Sequence, residues 1–211
     1  MMIYIRGTRT LPLILSANGS GILKWWVDAS FAIHPKMQGH SGGGLYLGRG
    51  FPIVISTKQK LNTRSSTETE LVGADDFMPA IFWTRYFLKA QGYSILYKVL
   101  FQDNKSSILL EKNGKALSSK RTKHIKIRYL FITDRVAQGD VSLVWCPTRD
   151  MIGEFMTNPL QGALFPKFRD QIMGVILAQD PGPGKSQPGK AQTGKAQPGK
   201  GKPKKGREYI F

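Results

Sequence analysis

With 211 residues, the chain is long enough for one domain with a complete core and extensions, and too short for two ordinary domains. Against 14 Asp and Glu stand 31 Lys and Arg, and the formal charge of +17 points to a polyanionic partner, either nucleic acid or an anionic membrane surface. A single cysteine, Cys146, excludes an intrachain disulfide and a thiolate zinc cage, and no apolar run approaches the roughly 20 residues of a membrane-spanning helix. At the amino end the apolar run is short and broken by Pro12, unlike a secretory leader, so residues 10–15 read as a strand. Runs bounded by glycine predict further strands at 22–29, 44–48 and 51–57, and their short Gly-rich links favour antiparallel hairpins. A long helix follows, with Ser66 or Thr67 as N-cap and Gly92 as its stop. Leu71, Ala74, Met78, Ile81 and Phe82 recur along it at helical spacing, and Pro79 is expected to kink it. Residues 97–101 read as a buried strand, 105–111 and 122–137 as helices, 141–146 as the last strand, with helix again from about Asp150 and over 164–173. Strands first as a meander and then alternating with helices predict an α/β mixed sheet with helices packed on it. From Asp180 a five-residue Lys/Gly/Pro/Gln repeat begins, so 1–178 are expected to form the domain and 179–211 a disordered basic tail. That tail carries +6 of the charge and leaves +11 on the body.

In so basic a chain, acids kept at the ends of apolar segments stand out. Asp28 falls near the end of a central strand, Glu70 near the start of the long helix, Asp103 just after the next strand, and Glu154 on a late helix. Open α/β sheets gather ligands where strands end and helices begin. Four converging acids repel one another and hold protons until a cation arrives. Two hard cations roughly 4 Å apart, bound through such oxygens, can activate a water and stabilise the leaving oxygen of a phosphodiester.

At these residues the body resembles the RNase H domain at the end of a copia-type retrotransposon polyprotein. The resemblance is carried by W-W-V-D-A-S-F-A, G-H-S-G-G, S-T-K-Q-K-L-N-T-R-S-S-T-E-T-E-L-V-G, Q-D-N-K-S-S-I-L-L, S-K-R-T-K-H-I-K-I-R-Y and C-P-T-R-D-M-I-G-E-F-M-T-N-P-L-Q-G. It covers most of residues 3–176. It implies an RNase H-like mixed five-stranded sheet, three antiparallel strands and then parallel ones, flanked by helices. It also implies cleavage of the RNA strand of an RNA–DNA hybrid with two Mg2+ ions, or Mn2+ in their place. Asp28, Glu70, Asp103 and Glu154 would be the catalytic metal ligands, with Glu68 outside the site. The family's usual Ala-Asp in A-D-x-x-T-K-P-L is here Gly153-Glu154, with Asn158 in place of the Lys. The runner-up is therefore a catalytically weak or inactive remnant that binds nucleic acid through its basic body and tail. A fragment without a cellular task is a third reading.

The run Lys120, Arg121, Lys123, His124, Lys126 and Arg128 is read as a contact to backbone phosphates, against the alternative of a solvated helix face. His124 alone either touches phosphate or caps and packs. Asn104 and Ser106 either cap the helix that follows Asp103 or reach a ribose 2′-hydroxyl. Trp25, Trp26, Trp83 and Trp145 are assigned mainly to the core, His34 and His40 are left without a role, and the tail is either an affinity extension or a solubilising one. The chain lacks the Tyr-x-Asp-Asp signature of a reverse transcriptase, so it reads as a detached carboxyl-terminal piece whose expected partners are nucleic acid and the reverse transcriptase domain of a parent polyprotein. No membrane partner is expected, and the expected location is intracellular, cytoplasmic or nuclear.

Overall fold

A computed structural model describes residues 2–113 and 123–179. The chain opens with helix α1 (Met2–Gly7), strand β1 (Ser16–Ala17), β2 (Ile22–Ser30), β3 (His40–Tyr46), β4 (Gly48–Arg49) and β5 (Ile53–Lys58). Helix α2 (Ser66–Ala90) leads to β6 (Tyr97–Gln102), α3 (Lys105–Asn113) and α4 (Lys123–Ala137), and β7 (Ser142–Trp145), α5 (Glu154–Thr157) and α6 (Leu164–Ile172) complete it. Five strands form one mixed sheet in the order β5-β3-β2-β6-β7. The first three pair antiparallel, and β2, β6 and β7 run parallel. This is the arrangement that the RNase H resemblance implies.

Alternation along β2 explains why the sheet is covered on both faces. Leu23, Trp25 and Val27 point into a core with Leu71, Phe77, Met78 and Ile81 of α2 and Tyr129 and Ile132 of α4, while Trp26 points into a second core with Phe101, Ile152 and Phe168. Both indoles are fully buried, and at about 25 cal/mol per Å2 each contributes roughly 4–6 kcal/mol before entropy is counted.

Four expected elements differ from those observed. The strand predicted at 44–48 lies at His40–Tyr46, because the glycines that read as a link form its centre. A Cβ on Gly42 would lie 2.6 Å from the Met156 Cβ, and one on Gly43 would lie 3.0 Å from the Phe77 ring, so helices on both faces demand bare backbone there. The strand predicted at 10–15 is absent. Ile14 N–H instead donates to Met173 C=O at 2.8 Å, tying this segment to the end of α6, and only Ser16–Ala17 pairs, with β4. Helix α2 is capped by Ser65, one residue before the earlier of the two expected caps, and runs unbroken through Pro79. Ser65 Oγ accepts from Glu68 N–H at 3.2 Å and the Glu68 carboxylate accepts from Arg64 N–H at 2.7 Å, a capping box. At the other end Gly92, at φ +88°, closes a Schellman turn in which Tyr93 N–H donates to Leu88 C=O. The helix expected from Asp150 is a single 3-10 turn (Thr148–Asp150) followed by the one-turn α5.

The expected tail lies outside the described residues except for Gln179. Among the described residues no helix is long and apolar enough to cross a membrane.

Candidate active site

The site lies where the sheet divides. Pairing of β2 with β6 ends at Trp26↔Phe101, whereas pairing of β2 with β3 continues to Ser30↔His40. Asp28 lies in the stretch of β2 that pairs with β3 but no longer with β6, and Asp103 follows the last residue of β6. Glu70 arrives from α2, which lies close to β2 because Gly73 has no side chain: a Cβ there would stand 3.0 Å from the Cβ of Ala29. Asp28, Glu70 and Asp103 each offer a carboxylate oxygen, and these oxygens lie within 4.8 Å of one another. Glu68 is held in the capping box and is not part of this set.

Burial pushes the Asp28 carboxyl up to about 6; the Thr157 hydroxyl, which donates to Asp28 Oδ2, opposes that shift, and the charge of Asp103 adds to it. Burial raises Glu70 well above the ordinary range, helped by the charges of Asp28 and Asp103. Among the described residues Glu70 Oε2 is buried without a hydrogen-bond partner, which suits an oxygen that waits for a cation. Hard oxygen donors in this number fit Mg2+ or Mn2+ better than softer metals. Glu154 stands outside the 4.8 Å set, yet burial and the charges of Asp28 and Asp103 push it up to about 7.

Helix α5 carries Glu154 and is held by hydroxyls. Ser30 Oγ shares its one hydrogen between Asn158 Oδ1 at 2.8 Å and Thr157 C=O at 3.2 Å, and Ser56 Oγ donates to Met156 C=O at 2.9 Å. The two histidines without an assigned role join this support: His40 Nε2 bonds Ser56 Oγ and His40 Nδ1 bonds His34 Nε2, both at 2.8 Å.

Residues that the sequence reading did not single out complete the surroundings. Thr157 falls three residues after Glu154, a spacing that places both on one face of a helical turn. Thr148 Oγ1 donates to Asp103 Oδ2 at 3.0 Å. Glu111 is fully buried, accepts from Ser107 Oγ at 3.0 Å, and its charge acts on Glu70. Its spacing from Ser107, one helical turn, was the available signal.

The expected phosphate-binding residues fare differently. Lys120 and Arg121 lie outside the described residues, and of Lys123, His124 and Lys126 only the backbone, in the first turn of α4, is described. Arg128 donates to Asp75 and, at 3.1 Å, to Asp76, clamping α4 to α2, so a phosphate would compete with two carboxylates for it. Asn104 Oδ1 accepts from Ser107 N–H at 3.0 Å, the bond of an N-cap, and Ser106 is exposed on the first turn of α3. The tryptophans divide: Trp25 and Trp26 are core, whereas Trp83 and Trp145 are 59% and 42% exposed, contrary to expectation. Trp83 lies on the outer face of α2 and stacks on Phe87, and Trp145 ends the edge strand β7.

Raised carboxyl values have a consequence for stability. The folded chain holds the Asp28 proton more tightly than the unfolded chain, whose value is near 3.8, so metal-free stability falls as pH rises from about 4 through about 6. Glu154 extends the fall to about 7. For Asp28 the shift corresponds to about 3 kcal/mol. Thermal melts in EDTA are expected to give a lower Tm at pH 8 than at pH 5, with Mg2+ restoring stability at pH 8. A Tm unaffected by Mg2+ at pH 8 would contradict this account.

No protein-family model matches the chain. It is 30% identical over 156 residues to the retrovirus-related Pol polyprotein from transposon TNT 1-94 of Nicotiana tabacum, and 29% identical over 175 residues to that from transposon RE2 of Arabidopsis thaliana. These matches cover 74% and 82% of this chain, and 12% of each relative. Among solved structures, the N-terminal RNase H domain of Rv2228c from Mycobacterium tuberculosis overlays with a TM-score of 0.45 at 9% identity, covering 71% of this chain and 96% of that one. LC11-RNase H1 in complex with an RNA/DNA hybrid overlays with a TM-score of 0.42 at 8% identity, covering 61% and 88%. The chain is a homologue of the Pol polyproteins of plant copia-type transposons and spans 12% of the length of those it matches.

Proposed function

We propose that the protein is a metal-dependent endoribonuclease that cuts the RNA strand of RNA–DNA hybrids, as a domain of, or descendant from, a transposon polyprotein. The observation that carries this reading is the convergence of Asp28, Glu70 and Asp103, with ligand oxygens within 4.8 Å, in a chain of net charge +17. Two Mg2+ ions, or Mn2+, would supply an activated water and charge neutralisation at the scissile phosphate when bound there. The chain's own residues hold and orient that arrangement. Asp28 and Asp103 fix it from two diverging strands, the Thr157 and Thr148 hydroxyls orient their carboxylates, and Glu70 closes it from α2. Glu154, whose carboxyl burial and the charges of Asp28 and Asp103 push up to about 7 in the metal-free protein, would either supply a further oxygen to the ions or exchange a proton with the reacting groups. The basic body draws in the polyanion.

Purified protein with Mg2+ is expected to cut the RNA strand of an end-labelled hybrid, and to leave single-stranded RNA and duplex DNA of the same sequence intact. Loss of all cutting in EDTA should follow. Equal cutting of single-stranded RNA would remove the hybrid specificity, and cutting that survives EDTA would remove the metal.

A second reading, a binding remnant with weak or no cleavage, is favoured by one observation: Glu154 is not within the set formed by the other three acids. Hybrid binding without cleavage, with cleavage restored by Glu154→Asp, would support it.

A further inference from the structure

Beside the acid cluster, on the side of β7, an aromatic ring and a cation share one exposed surface. Trp145 is 42% exposed, and its indole N–H donates to the backbone carbonyl of Asp103 at 3.0 Å, which fixes the ring's edge next to a cluster residue. The Lys105 ammonium lies over the ring, 4.3 Å from its centroid, and Lys105 is itself exposed. A large ring at the end of an edge strand gains little by facing water, and the core assigned to it from sequence is not where it lies.

We propose that Trp145 and Lys105 form a nucleotide-binding contact for the strand that enters the acid cluster, the indole stacking on a base and the ammonium taking the adjoining backbone phosphate. This rests on the nuclease reading for the identity of the strand. An exposed cation–π contact is weaker than stacking of a base on an aromatic ring, so an arriving nucleotide displaces Lys105 from the indole and leaves its ammonium beside the phosphate. The Lys105–Trp145 contact in the free protein keeps the ring covered and oriented until then. Because the indole edge is bonded to Asp103, a strand stacked on Trp145 is held in register with the cluster.

The test measures affinity of the full chain for a fluorescent RNA–DNA hybrid, in the Asp28→Asn background so that the strand stays uncut. Trp145→Ala is expected to weaken binding roughly 10-fold and Trp145→Phe to keep most of it. Phe lacks the N–H to Asp103 but retains the ring, so its behaviour separates stacking from a structural effect on Asp103. Lys105→Gln is expected to reduce the slope of log affinity against log salt by about 0.7–0.9, the loss of one phosphate contact. Binding by Trp145→Ala within twofold of its parent, equal losses in Trp145→Ala and Trp145→Phe, or an unchanged salt slope in Lys105→Gln would overturn the proposal. Cleavage by the otherwise unsubstituted chain distinguishes the two readings. A chain that cuts hybrid while Trp145→Ala binds as its parent refutes this contact alone. A chain that binds through Trp145 without cutting refutes the nuclease alone, and a parent that binds no hybrid refutes both.

Discussion

Asp28→Asn is expected to lower Mg2+-dependent cleavage by more than ~100-fold and, in the same protein, to raise the melting temperature in EDTA at pH 8. Both effects come from one charge. Asp28 supplies an oxygen to the set within 4.8 Å, so removing its charge removes a ligand, and altering even an outer partner of a metal ligand costs roughly 10–100-fold. The same charge is buried, sits beside Asp103 and raises Glu70, so a neutral amide of nearly equal size relieves repulsion in the metal-free fold. Asn keeps an oxygen that can accept from the Thr157 hydroxyl, so packing is retained. The relief has an upper bound of about 3 kcal/mol, and a domain of this size gains roughly 2–4 °C per kcal/mol. Cleavage of labelled hybrid and a melt in EDTA decide the matter together. Residual cutting equal to that of the parent would mean a contaminating nuclease, and a lower Tm would mean that Asp28 serves the fold rather than a cation.

Gly153→Ala is expected to destabilise the protein by about 1–3 kcal/mol and to lower cleavage on the order of 10–100-fold. A Cβ on residue 153 would lie 2.9 Å from both the Cβ and the backbone nitrogen of Asp28 and 3.2 Å from the Val27 carbonyl carbon. None of these is the loose end of a flexible side chain, so α5 must withdraw from β2. Withdrawal carries Thr157 away from Asp28 and moves Glu154 with it. Urea unfolding gives the stability change, and single-turnover cleavage at saturating Mg2+ gives the rate. A variant with unchanged midpoint and rate would show that α5 has room to shift and does not set the geometry of Asp28.

The acid cluster was legible because each member sits near a boundary that residue types mark: the end of an apolar strand at Asp28, an apolar strand ending before Asp103, and a hydroxyl-rich helix start before Glu70. Glu70 faces Asp28 and Asp103 while Glu68 turns to the helix cap, a role that the sequence did not reveal because three consecutive hydroxyls, Ser65, Ser66 and Thr67, left the cap itself ambiguous. What sequence hid was long-range. Nothing local shows that Gly42 and Gly43 are squeezed between α5 and Phe77, so glycines that weaken an isolated strand read as a link. Arg128 reads as part of a basic run because Asp75 and Asp76 lie some fifty residues away. Trp145 reads as core because its strand is apolar, and only the sheet order shows that β7 is an edge.

The hydroxyl bonds that hold α5 join residues far apart in the chain: 127 for Ser30 with Thr157, 129 for Thr157 with Asp28, and 100 for Ser56 with Met156. A helix of four residues has no persistence in isolation, whereas the 25-residue α2 carries its own cap and stop. The position of Glu154 therefore depends on loops longer than those that separate Asp28, Glu70 and Asp103 from one another, and closing longer loops costs somewhat more chain entropy. A growing chain holds three of the four acids only between the synthesis of Asp103 and that of Glu154.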